Sequence, residues 1–392
     1  MKTLFVNNAW SDNKKYSTVI NVLLFLVSIN FLHYGQLLLP VICLFIFIIN
    51  NKKLYLGDIK EFVCLLLFGI FFFIFDTTEG IYRTIGLFLP MAYYIGSNIH
   101  GRDLYKNILY LLAIGMAFHA LLDFVYDYSV YGLLLFRKQN HFDFWTGQRT
   151  SVTSIATNFI LFFSVFFYMI KGNLISKKIS WTIFILLALY NLGIGRRTPV
   201  FIIAIALFIF IIYAFLEKQI TINYQGIYKK LLLCCILLIL LVIAYFFNLF
   251  NIKNAINKLT IVEKFSLGGF KLGRFYIYKI AFPYLNKFLW GGRKISSLIR
   301  DQFHDVWFDI FDAGGIVCFI LFIIFTLIVL KKTYNILKNK NIELSNKFIV
   351  FSFIVCNGLQ MCIEPIISSS SIYIISIIII FATIEHEFDR IQ

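Results

Sequence analysis

The chain has 392 residues, of which 60% are hydrophobic and 14% charged, and its mean hydropathy is +0.82. Soluble domains are about 45–50% apolar and about 25% charged, so this composition excludes an ordinary soluble protein and predicts an integral membrane protein. The net charge of +16 would suggest nucleic acid in a soluble protein. Here the basic residues form short clusters between apolar runs, so they are expected to set membrane topology and no nucleic-acid partner is expected.

Apolar runs recur along the whole chain. A helix needs about 20 apolar residues to cross the hydrocarbon core, and open strands cannot cross because their backbone groups would lack partners. About twelve helical spans are predicted, at 17–34, 37–50, 59–75, 81–98, 104–122, 152–170, 180–195, 198–216, 229–250, 306–330, 347–363 and 366–384. The expected fold is an all-α polytopic membrane protein. Spans 1–9 fill residues 1–250, a large external loop fills 251–305, and 306–392 holds spans 10–12 and a cytoplasmic tail.

Lysine and arginine clusters in alternate loops orient the predicted spans, because short cytoplasmic loops collect positive charge. These clusters place both termini in the cytoplasm, whereas the loops at 35–36, 76–80 and 363–365 carry no Lys or Arg and are predicted to be external. The N-terminal stretch lacks a secretory signal, so the first span is expected to stay as the anchor. The seven cysteines show no CxxC or Cys/His spacing, so neither a disulfide nor a metal site is expected.

Several positive residues oppose this orientation, because they fall on the predicted external side. They stand at or just before the outer, N-terminal ends of inward-running helices, and they are Arg83, Arg149, Arg196, Arg197 and, on the tenth span, His304. A positive charge there opposes the helix macrodipole and costs roughly 0.3–1 kcal/mol at exposed sites. A bound anion would make this arrangement stabilising, because the helix N–H groups and the guanidinium groups would then bind the same anion. The pattern indicates an anionic group held near the outer leaflet.

The turn GIGRRTP carries two of these arginines. Gly193 and Gly195 allow a tight reversal, Thr198 suits an N-cap, and Pro199 suits the first helical turn. Arg196 and Arg197 either anchor the helix at the headgroups or clamp a phosphate through bidentate guanidinium groups. Two further residues carry similar alternatives. Arg149 is either a surface anchor or an anion ligand, and Asn158, inside an apolar run, needs an interhelical or ligand partner.

The long external segment combines arginines with aromatic residues. Phe275, Tyr278 and Phe282 recur at helical spacing until Pro283, which predicts an amphipathic helix on the outer interface that begins at Arg274. Gly291 and Gly292 then permit a turn. The residues that follow include candidates for chemistry and for structure. Arg293 is a candidate anion ligand, His304 is either a general base or an interfacial histidine, and Asp309, Asp312 and Glu364 are expected to be structural.

The GRRTP turn and the segment LGRFYIYKIAFPYLNKFLWGG…FHDVWFDIFDAGGIVCFI resemble the O-antigen ligase and polymerase family of bacterial membrane proteins, as does the predicted topology. In that family an arginine followed by aromatic residues precedes a glycine turn, and a histidine stands at the head of the next span. The local resemblance covers residues 193–320 with a gap. The chain departs from the pattern at Trp290-Gly291-Gly292-Arg293, where the family often has Gly-x-Gly, and at His304-Asp305, where it commonly has His-Asn.

The resemblance implies a GT-C-like transferase in the bacterial cytoplasmic (inner) membrane that uses a glycan donor linked to undecaprenyl pyrophosphate. It implies that Arg196 or Arg197 and Arg274 hold the pyrophosphate and that His304 stands at the reacting centre. No cofactor is expected, and stabilising the charge of the leaving pyrophosphate can replace acid catalysis and a metal. Arg149 and Arg293 are additional expected anion ligands. The expected sugar-stacking residues are Tyr276, Tyr278, Trp290 and Trp307.

The expected function is therefore polymerisation of O-antigen or capsule repeat units on the external face. Membrane lipids surround the enzyme, and a flippase and a chain-length regulator are candidate partners. The nearest alternative is the ligase reaction, with the same donor and a lipid A-core acceptor. A flippase or other transporter is a different class, but the predicted spans are almost free of charge and the ionisable groups collect at one face. A non-catalytic envelope scaffold would not account for the external arginines.

Overall fold

A computed structural model describes residues 14–50, 55–78, 81–99, 104–137, 141–172, 177–216, 273–300 and 302–389. These residues are almost entirely helical. The α-helices are α1 (Lys14–Ser28), α2 (Leu38–Ile49), α3 (Ile59–Phe75), α4 (Ile81–Asn98), α5 (Leu104–Tyr131), α6 (Val152–Gly172), α7 (Lys177–Gly193), α8 (Thr198–Leu216), α9 (Gly273–Ala281), α10 (Lys294–Ile299), α11 (Val306–Lys338), α12 (Leu344–Ile363), α13 (Ile366–Ser369) and α14 (Ser371–Asp389). The 3-10 turns are Phe31–His33, Gly35–Leu37, Gly132–Arg137 and Phe282–Tyr284. Strands β1 (His141–Phe142) and β2 (Arg149–Thr150) form an antiparallel hairpin.

The all-helical architecture of a membrane protein is confirmed. Within the described residues, α5, α11, α12 and α14 are long and apolar enough to cross a membrane, and shorter apolar helices accompany them. Every predicted span contains a helix except 229–250, which lies outside the described residues, as do residues 251–272 of the external loop. The total of twelve spans, the GT-C-like arrangement and the orientation of the termini stay predictions.

Four predicted boundaries differ clearly from the structure, and the first of them is the span predicted to reach residue 34, whose helix ends at Ser28. Helix α5 continues to Tyr131 and α11 to Lys338, because the polar residues that ended the apolar runs are still paired by neighbouring elements. The span predicted at 366–384 is divided into α13 and α14 at Ser370. Serine competes for backbone groups and weakens a helix, so the run of four serines at 368–371 is a suitable place for the break.

Helix α14 forms the centre of the bundle and packs against α4, α5 and α1. Its isoleucine-rich stretch from Ile372 to Ile384 is buried almost throughout. Close approach to α4 depends on Gly96, since a side chain there would collide with the backbone of Ile379. Small residues at such crossings let membrane helices make dense van der Waals contact, which replaces the hydrophobic drive that lipid cannot supply.

The loops predicted to be external meet at one end of this bundle. Trp145 Nε1 donates to Ile29 O at 2.9 Å, which joins the β-hairpin to the loop after α1. The segment after α3 reaches the external segment through Thr77 Oγ1, which donates to Gly292 O at 2.9 Å. The lysine-bearing ends of the helices meet at the opposite end, where Lys332 bridges acidic residues of α3 and α14. These contacts place the hairpin, the loop after α1, the segment after α3 and the external segment at one end, and Lys332 at the other, while the membrane orientation of the two ends stays a prediction.

A break in α11 receives the predicted glycine turn of the external segment. Gly315 has φ 73° and ψ −172°, a conformation that is essentially restricted to glycine. Across the break, Ile316 N donates to Leu289 O at 2.8 Å and Gly292 N donates to Ala313 O at 2.9 Å. These backbone bonds fix the external segment against the bundle and set the position of the residues on either side of it.

Candidate functional site

The GRRTP turn is tied to α6 and α12 by a buried carboxylate. Arg196 Nη2 donates to Thr153 Oγ1 at 3.0 Å, and Thr153 Oγ1 donates to Glu364 Oε2 at 3.2 Å. Thr198 Oγ1 donates to the other oxygen of Glu364 at 2.5 Å. Helix α8 begins at Thr198, and Arg197 O accepts the first helical bond from Phe201 N at 3.1 Å. The N-cap predicted at Thr198 is therefore wrong by one position, because the residue before the helix is Arg197. The hydroxyl group of Thr198 donates to Glu364 instead of capping the helix.

Arg293 lies between two carboxylates instead of facing an open surface. Its Nε is 3.2 Å from Asp76 Oδ1, and its Nη1 is 3.1 Å from Asp309 Oδ1. Burial opposes the positive charge, but Asp309 and Asp76 outweigh burial and hold the pKa of Arg293 above its usual value. Asp312 Oδ1 accepts from Ile295 N at 2.9 Å at the start of α10. This geometry favours a bracing role for Arg293, and its predicted anion binding stays untested.

The first turn of α11 holds the predicted histidine segment. Asp305 is the N-cap, and its Oδ1 accepts from Phe308 N at 2.8 Å. Its other oxygen accepts a hydrogen bond from Tyr278 OH, which fastens α9 to α11. His304 is half-buried and directly precedes this cap. The hydroxyl group of Tyr278 is thus already engaged, whereas the position of His304 suits a group that acts at the edge of the bundle.

The other predicted sugar-binding residues differ in exposure. Tyr276 is 62% exposed and Trp290 is 63% exposed, and the Trp290 ring lies 5.6 Å from that of Phe75. Trp307 packs against the main core. Arg274 belongs to the first turn of α9, but its side chain is outside the described part of the chain. Of the four predicted stacking residues, Tyr276 and Trp290 are the ones with an open aromatic face.

Helix α9 is amphipathic, as predicted, and the face that it buries includes Tyr278 but not Phe282. Ile277 and Ala281 are buried in a small cluster with Ile295, Phe303 and Phe311, while Phe282 is exposed. The predicted face included Phe282, which falls in the 3-10 turn that contains Pro283 and so leaves the α-helical register. This cluster holds α9 against the head of α11.

The two predicted halves of the site stand on either side of the C-terminal end of α12. On one side, Glu364 accepts from Thr198 and Thr153, next to Arg196. On the other side, the charge of Asp305, the residue after His304, reaches Cys362, two residues before Glu364. The turn and the histidine segment are more than a hundred residues apart in sequence, yet the turn contacts the end of α12 and the histidine segment approaches it. The structure therefore brings Arg196 and His304 to a common region of the outer end.

A polar cavity of about 140 Å³ opens at the same end of the bundle. Arg149 and Asn158 line it, together with serines from α6 and from the break before α14. Asn158 is only 1% exposed, and neither of its amide atoms has a hydrogen-bond partner among the described residues. The predicted need for a partner is thus not met within the described chain, and the amide faces a cavity that can hold a polar ligand or water.

His119 and Asp143 form the other side of this cavity, and the sequence analysis did not single them out. His119 Nε2 lies 3.2 Å from Asp143 Oδ2 and 3.7 Å from Asp123 Oδ1. Asp143 Oδ2 also lies 3.6 Å from His33 Nδ1. All three members of the group His119, Asp123 and Asp143 are buried. The sequence feature that could have indicated this group is the i, i+4 spacing of His119, Asp123 and Asp127, which places all three on one face of α5.

The β-hairpin that carries Arg149 depends on these aspartates. Asp123 Oδ1 accepts from Phe144 N at 2.9 Å, and Asp127 Oδ1 accepts from Phe142 N at 2.9 Å. Asp143 Oδ1 accepts from Trp145 N at 3.1 Å within the turn. Burial alone would raise the pKa of Asp143, but His119 and His33 outweigh it and hold that pKa well below its usual range. The carboxyl group is therefore charged at neutral pH.

A second group of buried charges lies at the opposite end of the bundle. Lys332 Nζ is 2.7 Å from Glu61 Oε1 and 3.2 Å from Asp58 Oδ2, and it also contacts Glu385. Tyr93 donates to Glu61 and to Glu385. This network corrects the expectation that the ionisable groups collect at one face. Each residue lies near a helix end, where a network of this kind can lock α3, α4, α11 and α14 together.

Comparison of the chain with protein-family models and with curated proteins finds no match in either set.

Proposed function

We propose that the protein is a membrane glycosyltransferase that polymerises polysaccharide repeat units on the external face of a bacterial cytoplasmic membrane. It transfers a glycan from an undecaprenyl-pyrophosphate carrier to a sugar hydroxyl group of a lipid-linked repeat unit. The observation that carries the proposal is that the Arg196 turn is bonded to the end of α12 while Asp305, next to His304, lies close enough to that end to act electrostatically on Cys362. An anion site and a candidate base in one region are what this reaction requires.

The reaction divides between these residues. The acceptor oxygen bonds to the anomeric carbon of the donor, the bond from that carbon to pyrophosphate breaks, and undecaprenyl pyrophosphate leaves. Arg196, Arg197 and Arg274 stabilise the charge of the leaving group. His304 accepts the proton of the acceptor hydroxyl group. The exposed faces of Tyr276 and Trp290 offer stacking surfaces for sugar rings.

The ligase reaction uses the same donor chemistry and differs only in its acceptor. Export of lipid-linked oligosaccharide is the second candidate, and the buried network around Lys332 is the observation that favours it. Ionisable groups among apolar helices commonly mark transport pathways. The location of this network at helix ends, and the contact of Lys332 with Asp58, Glu61 and Glu385, favour a structural role and support the glycosyltransferase proposal.

The test expresses Arg274→Ala and His304→Ala variants in cells that lack the wild-type protein, with the glycan ladder examined by gel. Both variants are expected to accumulate single repeats at normal protein levels. Matched controls are Arg300→Ala, an exposed arginine after α10, and His386→Ala, near the opposite end of α14. Long chains produced by both Arg274→Ala and His304→Ala would overturn the proposal. Lipid-linked long chains that never reach the core would instead identify a ligase.

Purified protein distinguishes transfer from transport. Vesicles that contain the wild-type protein and lipid-linked repeats are expected to form longer glycans. Movement of the repeats across the bilayer without any growth would support the exporter and contradict the polymerase.

A further inference from the structure

We propose that His119, Asp123 and Asp143 form a binding site for a divalent transition-metal ion such as Zn²⁺, at the wall of the polar cavity. This inference does not depend on the proposed glycan transfer. Each residue offers one ligand atom, and the three atoms lie within 4.8 Å of one another. They come from α5 and from the β-hairpin, so folding, not sequence proximity, assembles them.

The distances fit coordination around a common centre. Zn²⁺ binds imidazole nitrogen and carboxylate oxygen at about 2.0–2.2 Å, which separates neighbouring ligand atoms by about 3.4 Å in a tetrahedron. The separations from His119 Nε2 are 3.2 Å to Asp143 Oδ2 and 3.7 Å to Asp123 Oδ1. One imidazole N–H can donate to only one of these oxygens, so the 3.2 Å contact suits a hydrogen bond, whereas the 3.7 Å separation from Asp123 Oδ1 does not.

The charges of the group also favour a bound cation. Asp123 and Asp143 give the group two buried carboxylates, and the cationic groups that can face them are the imidazoles of His119 and His33. An unbalanced buried charge is costly, and a divalent cation makes the three-ligand group neutral. Asp127 does not relieve the imbalance, because it is engaged by His141 Nδ1 at 2.7 Å and by Tyr190 OH at 2.7 Å.

A ligand position is also left open. Asp123 is 1% exposed, and its Oδ2 has no hydrogen-bond partner within the described ranges, while Oδ1 accepts from Phe144 N. Oδ2 can therefore complete the coordination without disturbing the hairpin. His33 Nδ1, 3.6 Å from Asp143 Oδ2, is a further nitrogen donor at the same wall. A mixed set of imidazole and carboxylate groups suits Zn²⁺ or a similar transition metal better than Mg²⁺.

The remaining coordination positions face the cavity that Arg149 and Asn158 line. Three protein ligands with an open position are the usual arrangement of a zinc ion that binds water or an oxygen ligand. The cation would join α5 to the hairpin and present a positive charge to the cavity.

The test measures metal directly on the full chain, purified in detergent with an affinity tag that lacks histidine. After treatment with a chelator, the protein is dialysed against Zn²⁺, and bound metal is counted by plasma mass spectrometry. The wild type is expected to bind one ion per chain. His119→Ala and Asp123→Asn are expected to weaken binding by at least about tenfold, since loss of even an outer-shell partner costs 10–100-fold. Asp123→Asn is the conservative variant, because its amide oxygen can still accept from Phe144 N.

The controls separate this site from other metal binding and from the proposed function. A Cys362→Ser background removes an exposed thiol that could bind Zn²⁺ adventitiously. His304→Ala is expected to bind Zn²⁺ like the wild type, whatever its effect on the glycan ladder. Should a variant fold poorly, the wild type still tests the proposal, because Zn²⁺ must raise its melting temperature and Co²⁺ must give a visible d–d spectrum. Absence of a stoichiometric ion, or unchanged binding by Asp123→Asn and His119→Ala, would refute the site.

Discussion

Gly291 and Gly315 lie directly against each other, one in the external segment and one in the break of α11. Both have φ 73°, and a Cβ at Gly291 would come 2.5 Å from Gly315 N. This contact explains why the region has two glycine pairs, Gly291-Gly292 and Gly314-Gly315. Neither segment could adopt its conformation with a side chain at these positions, so the external segment and the helix break form one unit.

Replacement of Gly315 by Ala is expected to destabilise the protein by about 1–3 kcal/mol or more, because an L-residue is strained at this φ and ψ. Its Cβ would also lie 2.5 Å from Leu289 O. The matched control is Gly358→Ala in α12, where no atom of the described chain lies within 4 Å of the added carbon. The temperature at which half the detergent-solubilised protein remains monodisperse measures the difference. Equal temperatures for the two variants would show that the glycine contact is dispensable.

Replacement of Arg293 by Ala is expected to lower stability by about 3–5 kcal/mol, because Asp76 and Asp309 would be left as unpaired buried charges. Lys294→Ala is the control, since Lys294 is its exposed neighbour. Thermal unfolding and folded yield check the prediction. A stable Arg293→Ala protein that makes only short glycans would instead support the predicted role of Arg293 as an anion ligand.

Asp143 is expected to make stability depend on pH. Its folded pKa is below the unfolded value of about 3.9. The carboxylate therefore stabilises the fold fully above the unfolded pKa and loses its effect as pH falls towards the folded pKa. With a chelator present, the wild type should melt above Asp143→Asn at pH 7, and the gap should narrow on acidification below about pH 4. A gap that stays constant or widens in acid would contradict the charged state inferred for Asp143.

Lys332 is expected to hold the opposite end of the bundle. Lys332→Met leaves Glu61 and Glu385 buried without their cation and should cost about 3–5 kcal/mol. Lys331→Met, at the exposed adjacent position, is the control. Removal of one of the two uncompensated charges, Glu61 and Glu385, should restore part of the lost stability. The double variant Lys332→Met with Glu61→Gln is therefore expected to unfold at a higher temperature than Lys332→Met alone. No recovery would mean that Lys332 acts through packing instead of charge.

Much of the fold could be predicted from the sequence, because a membrane helix is recognised from the apolar composition of its own residues. The runs at 59–75, 81–98 and 198–216 became helices with the predicted boundaries. The glycine turn at Gly291 and Gly292 was also predictable, since both residues adopt positive φ. Helix ends were less predictable where polar residues continue a helix, as at Asp123 and Asp127, because their partners lie in another segment.

The candidate site was predictable only in part. Sequence identified Arg196 and His304 as unusual charges for an external face, but it could not show that both approach the end of α12. It also could not distinguish Arg293 from the other arginines, because its partner Asp76 is 217 residues away. The cavity beside His119 and Asp143 was missed, since its members are spread over three loops and their neighbouring helices.

By itself, then, the sequence determined that this is a helical membrane protein and where most of its helices lie. Those properties depend on residues close together in the chain, through helix periodicity, apolar length and the local density of positive charge. Only the tertiary structure decided which charges are neutralised internally and which polar groups face a cavity. Arg293, Asp123 and Asn158 acquired their environments from segments far away in sequence, and burial and pairing depend on those distant neighbours.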